Sequence, residues 1–247
     1  MTGCCTLPPR EAPAIPLWIN GRPVLAMVPV FQEIRESATQ RLIRRVPLVD
    51  QVLAATAIKA ANEAPGLLPA AMASFLQELA VALEELETHF AGLSAVESQT
   101  HLDAGKADVA NALAYVRALQ SEPMIREVRV GAAGAGNDQS TLALAGPGIP
   151  VSAAIKLVLP VLMRGGAVTL IPSPDAPSCA LALAELCAQC GLPDGLFNVV
   201  YVDEATALAL VNEAGVRQVR LFGPSAWAQR WQTAAMDWSI PCELVLA

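Results

Sequence analysis

Histidine, positive charge and long apolar runs are scarce in this sequence, and each shortage removes a class of function. Only His89 and His101 are present in 247 residues. Two imidazoles do not exclude a Ser–His–Asp site by count, but no G-x-S-x-G elbow accompanies them. Each reads as a helix-surface or turn residue. Lysine and arginine number 16 against 23 aspartates and glutamates, giving a net charge of −7 and a pI near 4.9. The basic residues are scattered apart from Arg41, Arg44 and Arg45, which argues against a nucleic-acid-binding face. The most apolar region, 142–171, is broken by Lys156, Arg164, prolines and glycines, so it is a poor membrane span. Residues 1–16 have no basic start followed by an apolar stretch and do not read as a signal peptide. The six cysteines are scattered rather than framework-like, which fits a reducing compartment. The expectation is a soluble, cytoplasmic protein that binds neither nucleic acid nor membrane.

What is abundant is small and aliphatic. Hydrophobic residues make up 54% of the chain and charged residues only 16%. Two readings fit those values: a helix-rich α/β domain, or a surface that expects a partner. The length suffices for one full core with an appendage. Residues 1–16 are proline-rich and read as an irregular arm, leaving 17–247 as the folded domain. Residues 17–24 (LWINGRPV) are two short β runs about an Asn-Gly turn, a hairpin pattern. Residues 41–46 read as another short strand. Residues 50–62 read as a helix with Asp50 as N-cap. In 69–86, Met72, Phe75, Leu76, Leu79, Leu83 and Leu86 recur at threes and fours and give one apolar helix face. Residues 89–99 and 103–119 continue the helical pattern. Residues 124–130 and 141–145 flank a Gly/Ala/Asn/Asp turn and read as a β ribbon.

The chain is organised around residues 146–200. Gly146 to Pro150 separates an apolar run from a helical one at 151–163. Arg164-Gly165-Gly166 stops that helix and opens a β-rich run at 167–171. Residues 172–177 turn the chain into a second helix, 178–190, which stops at Gly191-Leu192-Pro193. A third apolar run follows at 197–202. This is a βαβαβ unit with a parallel sheet, and such sheets bind ligands at the carboxyl ends of their strands. A helix at 204–213, a strand at 217–222, a helix at 226–236 and a strand at 242–246 complete the pattern. The fold class is therefore α/β: a doubly wound, mostly parallel, five-stranded Rossmann-like sheet with N-terminal helices and a protruding β ribbon.

Pro150, Pro160, Gly165, Pro172, Pro177, Leu183-Ala184-Glu185-Leu186, Gly191-Leu192-Pro193, Gly195 and Asn198-Val199-Val200 carry a resemblance. In that register the stretch resembles the coenzyme-binding half of an aldehyde dehydrogenase. That family runs P-W-N-F-P, K-x-x-P-A-L, G-N-x-V-V-x-K-P-x-E, L-A-E-L and A-G-L-P-x-G-V-x-N-V-V. The family opens with a hairpin like that at 17–24. Its all-helical segment carries E-T-G-K-P, which Glu97-Ser98-Gln99-Thr100-His101 matches weakly. Its ribbon at the position of 124–145 pairs with a neighbouring subunit, which implies a homo-oligomer or a protein partner here. A plain surface hairpin is the alternative.

The resemblance implies NAD or NADP as cofactor and an aldehyde oxidation carried by a thiolate, an oxyanion donor and a general base. The positions themselves are changed. The family's nucleophile lies beyond its E-L-G-G motif, which corresponds to Glu243-Leu244-Val245-Leu246, so its segment is not expected in this chain. The oxyanion asparagine is replaced by Gly148. Glu243 stands at the general-base position, either as a retained base or as a strand-end carboxylate. The ribose-contacting Lys is Ile171 and the Glu three residues on is Pro174; neither side chain can hydrogen-bond a ribose hydroxyl. In the phosphate turn, Gly223 is kept, the Ser is Pro224, which lacks a backbone N–H, and Ser225 is placed to substitute as an N-cap. Asp203 and Glu204 put two carboxylates near where a pyrophosphate would lie.

The remaining motifs read as structure. Cys187-Ala188-Gln189-Cys190 ends a helix and suits packing better than redox or zinc chemistry. The glycine run Gly131 to Gly136 lacks a Lys-Ser/Thr ending and suits a ribbon turn. Trp227 and Trp231, four apart, share a helix face and are either core or an aromatic anchor for a partner. The functional expectation is a non-catalytic binding, scaffold or accessory member of the family, with the NAD(P)-binding half of a two-chain dehydrogenase as the alternative. No metal site is expected.

Overall fold

The structure, a computed structural model, describes residues 14–36, 39–121, 140–213, 215–235 and 240–245. Among them the chain forms β1 (Leu17–Ile19), β2 (Arg22–Val24), β3 (Phe31–Arg35), β4 (Leu42–Pro47), α1 (Gln51–Glu63), α2 (Pro69–Glu85), α3 (Glu87–Ser98) and α4 (Leu102–Ser121). The second half contains β5 (Ser140–Ala145), α5 (Pro150–Met163), β6 (Ala167–Ile171), α6 (Pro177–Gln189), β7 (Phe197–Val199), α7 (Glu204–Val211), β8 (Val216–Phe222), α8 (Ser225–Ala235) and β9 (Cys242–Leu244). One sheet runs in the order β2-β1-β7-β6-β5-β8-β9, and β3 and β4 form a separate antiparallel pair.

The five expected core strands are all present, and β7, β6, β5, β8 and β9 run parallel. The sheet nevertheless has seven strands rather than five. The Asn-Gly hairpin does not stand apart: β1 pairs antiparallel with β7 through Trp18 and Val199, and carries β2 with it. The reason is burial. Leu17, Trp18 and Ile19 are all buried, so the hairpin gains more by covering the open edge of β7 than by facing water. The buried Asn198 side chain pins the join. Its Oδ1 accepts from Asn20 N at 2.9 Å and its Nδ2 donates to Gly195 O at 2.7 Å.

A second difference concerns 141–145, which the sequence pattern offered both as a ribbon arm and as core. All of β5 is buried, and it lies between β6 and β8 at the centre of the sheet. Its continuous apolar run is that of a strand covered on both faces. The rest of the 124–145 ribbon, including the glycine run at 131–136, falls outside the described residues. β3 has no counterpart in the sequence reading, because FQEIR shows only one buried position, Ile34.

The helices follow their sequence signals closely. Asp50 caps α1, its Oδ1 accepting from Leu53 N at 2.9 Å. Gly165 closes α5 with φ +78°; its N–H donates to Leu162 O at 2.9 Å and that of Gly166 donates to Val161 O at 3.0 Å, a glycine stop of the expected kind. α5 is the central helix: twelve of its fourteen residues are buried. It packs on β5, β6 and β8 on one side and on α4 and α6 on the other.

Candidate functional site

The parallel strands fix where a site can form. β5 is followed in the chain by β6 and β7 on one side, and later by β8 and β9 on the other. The strand order therefore reverses between β5 and β8, and the crevice at their carboxyl ends is the expected ligand position in an open α/β sheet. Gly146 follows β5 and Gly223 follows β8. Gly146 N donates to Phe222 O at 2.7 Å, so the two chains leave the sheet side by side.

Two cavities open at this end. One, of about 520 Å³, is lined by Gly148, Gly223, Pro224, Ser225, Leu244 and Val245 among others. The second, of about 510 Å³, is lined by residues including Ile171, Pro174, Tyr201, Asp203, Trp227 and Arg230. Pro147 borders both. The candidate residues thus sort into two groups: Gly148, Gly223, Pro224 and Ser225 in the first cavity, Ile171 and Pro174 in the second. Both volumes fall in the lower part of the ~300–1,000 Å³ range of small-molecule sites.

Trp227 lines the second cavity and lies against Gly223, which lines the first. A β-carbon added at Gly146 would come within 2.7 Å of the indole Cδ2, and one added at Gly223 within 2.6 Å of Cε3. The ring therefore lies against the backbone where β5 and β8 part. Trp231, one turn on, is buried, with its ring centroid 5.9 Å from that of Trp227. The pair fastens α8 to the sheet, and Trp227 is only partly covered.

The helix N-termini that surround such a crevice ordinarily offer N–H groups to anions. In this chain, side-chain carboxylates take them. Asp108 on α4 accepts from Val151 N at 2.8 Å and Ser152 N at 3.0 Å, and also from Ser152 Oγ. Glu97 on α3 accepts from Ser178 N at 3.0 Å and from Ser178 Oγ at the start of α6, and it pairs with Arg44 Nε at 3.2 Å. Both carboxylates are buried, which is tolerable only because each is multiply hydrogen-bonded. Burial, followed by the Glu97 charge, pushes the Tyr201 hydroxyl and Cys179 thiol far above their ordinary values. At α7 the cap is Asp203, accepting from Thr206 N at 2.7 Å. At α8 the expected Ser225 cap is displaced by one residue. Ala228 N donates to Pro224 O at 2.9 Å, so Pro224 sits before the helix and Ser225 is its first residue.

Glu243 lies apart from both cavities' linings. It sits on β9 opposite Arg220 of β8. Its Oε1 is 3.3 Å from Arg220 Nη2, and its Oε2 accepts from Gln218 Nε2 at 3.0 Å. Arg220 Nη1 donates in turn to Leu157 O of α5 at 3.3 Å. The Arg220 side chain is 4% exposed against 44% for Glu243. Burial pulls the guanidinium below its ordinary pKa, and Glu243 opposes that pull. The carboxylate is thus the outer member of a clamp that holds an edge strand to the sheet.

Sequence reasoning missed four of these contributors: Glu97, Asp108, Arg220 and the seat of Trp227. The first two carried a signal in retrospect, as acidic residues on the otherwise apolar faces of α3 and α4. The CxxC pair is buried on α6, and burial raises both thiols, as packing requires. His89 and His101 are exposed. Among the described residues no group of three or more His, Cys, Asp or Glu side chains is placed to hold a metal ion, and no helix is long and apolar enough to cross a membrane.

Comparison with known proteins places this geometry. Residues 29–244 match the model of the aldehyde dehydrogenase family. A betaine aldehyde dehydrogenase of Brucella anthropi is 32% identical over 203 residues, covering 79% of this chain and 42% of that protein. The fold is shared with methylmalonate-semialdehyde dehydrogenase (DddC) from Oceanimonas doudoroffii, at a TM-score of 0.83 and 21% identity, over 95% of this chain and 50% of that one. It is likewise shared with an NAD+ complex of an aldehyde dehydrogenase from Bacillus cereus, at a TM-score of 0.79 and 19% identity, over 95% and 51%. The chain spans about half the length of the relatives it matches.

Proposed function

The chain belongs to the aldehyde dehydrogenase family, and from that premise we propose that it is a non-catalytic member acting as a binding, scaffold or accessory subunit. The observation that carries this reading is the state of Glu243. The one acidic residue at the family's general-base position is engaged by Gln218 and Arg220 and lines neither cavity. A base must reach the proton it abstracts; this carboxylate is committed to strand pairing.

The dinucleotide that the family implies does not fit the residues present. Ile171 and Pro174 offer no side-chain donor or acceptor, and the Pro174 carbonyl already accepts from Gln32 Nε2 at 3.1 Å. The anion-binding end of α8 is preceded by Pro224, which has no backbone N–H to offer. The indole of Trp227 occupies the backbone seam that a pyrophosphate would approach.

Calorimetric titration of NAD, with NADP in parallel, tests the reading on the full chain. The expected result is no detectable heat at millimolar cofactor, at two temperatures. Binding at micromolar strength would overturn it. The assembly expectation attached to 124–145 rests on 124–139, since 140–145 are buried core. Light scattering after replacement of 124–139 by a short Gly-Ser link should report loss of a higher assembly. A second reading, the coenzyme-binding half of a two-chain oxidoreductase, draws support from the open cavity at the ends of β5, β8 and β9. It requires the cofactor binding that the same titration measures.

A further inference from the structure

Neither Gly146 nor Gly223 needs to be glycine for its own backbone. Among the described residues the glycines with positive φ are Gly21, Gly148, Gly165, Gly191, Gly195 and Gly215; these two are not among them. The nearest atoms to the added carbons at both positions belong to the same indole, at 2.7 and 2.6 Å, with the Gly146 Cα next at Gly223, at 3.1 Å. Such approaches require something to shift, and at the end of a buried strand the ring is what would leave. The two glycines and Trp227 therefore form one fitted unit, a cradle and its occupant, at the point where β5 and β8 separate.

We propose that Trp227 is the specificity-determining residue of this crevice: seated on Gly146 and Gly223, its indole divides the crevice into two compartments, each sized for a single-ring or mononucleotide-scale ligand, and excludes any ligand that must span both. The inference rests on the reading above that the dinucleotide does not fit, and it names the residue that enforces the misfit. A ligand crossing an open α/β sheet at its switch point lies over the backbone there, and this backbone is covered. The lost ribose contacts at Ile171 and Pro174 weaken a dinucleotide in one compartment only. The indole acts on the connection between the two.

The two contributions separate experimentally. NAD is titrated into the wild type, Ile171→Lys, and Ile171→Lys combined with Trp227→Val, with folding checked by circular dichroism and thermal midpoint. Should the valine variant unfold, Trp227→Leu takes its place. Removing the indole in the lysine background is expected to tighten NAD binding at least tenfold, while leaving the affinity for nicotinamide mononucleotide, which needs only one compartment, within a factor of about three, less than the tenfold that corresponds to about 1.4 kcal/mol. Equal NAD affinity with and without the indole would overturn the partition, as would a parallel gain for the mononucleotide. Wild-type binding of NAD at micromolar strength would instead overturn the preceding functional reading.

Discussion

Helix α5 buries twelve of its fourteen residues, whereas every residue of β9 is partly or fully exposed and α8 buries Ala228 and Trp231 among its described side chains. The two regions flank the same crevice and are held in different ways. On the β5-β6-β7 side α5 is buried along nearly its whole length, and the N-termini of α5 and α6 are closed by carboxylates buried at a distance in sequence. On the β8-β9 side the elements are short, and an ion pair and one indole do much of the holding. The first arrangement leaves little freedom to change residues without losing the fold. The second lets residues at ligand positions change while the sheet survives, and that is where Pro224 and Trp227 stand. Within this chain the fold and the ligand site are therefore supported by separable sets of contacts.

The sharpest way to break the comparison is at Asp108. Its carboxylate satisfies two backbone N–H groups and one hydroxyl at the start of α5. Asp108→Ala leaves the two N–H groups buried and unpaired, at about 1–3 kcal/mol for each uncompensated group, while Ser152 Oγ still donates to the backbone carbonyl of residue 108 at 2.8 Å. A net loss of about 3 kcal/mol is expected, or a thermal midpoint lower by roughly 6–12 °C for a chain of this size. Asp108→Asn, which keeps an acceptor, should lose distinctly less. A loss below about 1 kcal/mol for the alanine variant would show that water or relaxation replaces the cap, and the two regions would not differ as described.

The β8-β9 clamp should respond less, and asymmetrically. Glu243→Ala leaves the Arg220 charge buried with its hydrogen bond to Leu157 O. The full penalty for orphaning a buried charge is ~3–5 kcal/mol, but Glu243 is 44% exposed and water screens the pair, so about 1–2 kcal/mol is expected. Arg220→Met removes the buried charge itself and fills similar volume. It should cost less than Glu243→Ala in urea unfolding. If the methionine variant proves the weaker of the two, the guanidinium contributes to the sheet beyond its pairing with Glu243.

How much of this was legible in the sequence follows the same division. The glycine stop at Gly165, the cap at Asp50 and the five parallel strands were readable because local chain chemistry sets them. The hairpin 17–24 was readable as a hairpin, but its docking on β7 was not, since that depends on Asn198, 178 residues from its partner Asn20. Glu97 and Asp108 showed only as polar breaks in apolar faces, because a cap supplied from another helix leaves no mark next to the helix it closes. At the site, the changed positions Gly148, Ile171, Pro174 and Pro224 could be listed in order but not sorted into cavities. For Trp227 the helical spacing fits core and anchor equally, and only the folded contacts with Gly146 and Gly223 separate them. Glu243 could be read onto the last strand, and it lies within β9, while its partner Arg220 was invisible, because strand register is a property of the folded pair.

The smallest expected effect lies at Asp203, an exposed cap on the rim of the second cavity. Hydrogen bonds from Thr206, chiefly its backbone N–H, hold the Asp203 carboxyl below its ordinary value of 3.8, with slight opposition from burial. Because the folded state lowers this pKa, the associated stability is present above the unfolded value and is lost as pH falls through the lower folded value. Asp203→Asn keeps an oxygen acceptor for the cap but cannot carry the charge that favours a helix N-terminus. At neutral pH the variant should be less stable by about 0.3–1 kcal/mol. That difference should shrink toward zero as pH is lowered below the carboxyl range, as far as the fold survives. Asp108, whose cap is sealed from solvent, sets the contrast: its substitution should weaken the protein throughout the neutral range. A difference between wild type and Asp203→Asn that stayed constant with pH would assign the effect to hydrogen-bond geometry rather than charge, and the rim of the second cavity would then resemble the buried side more than the exposed one.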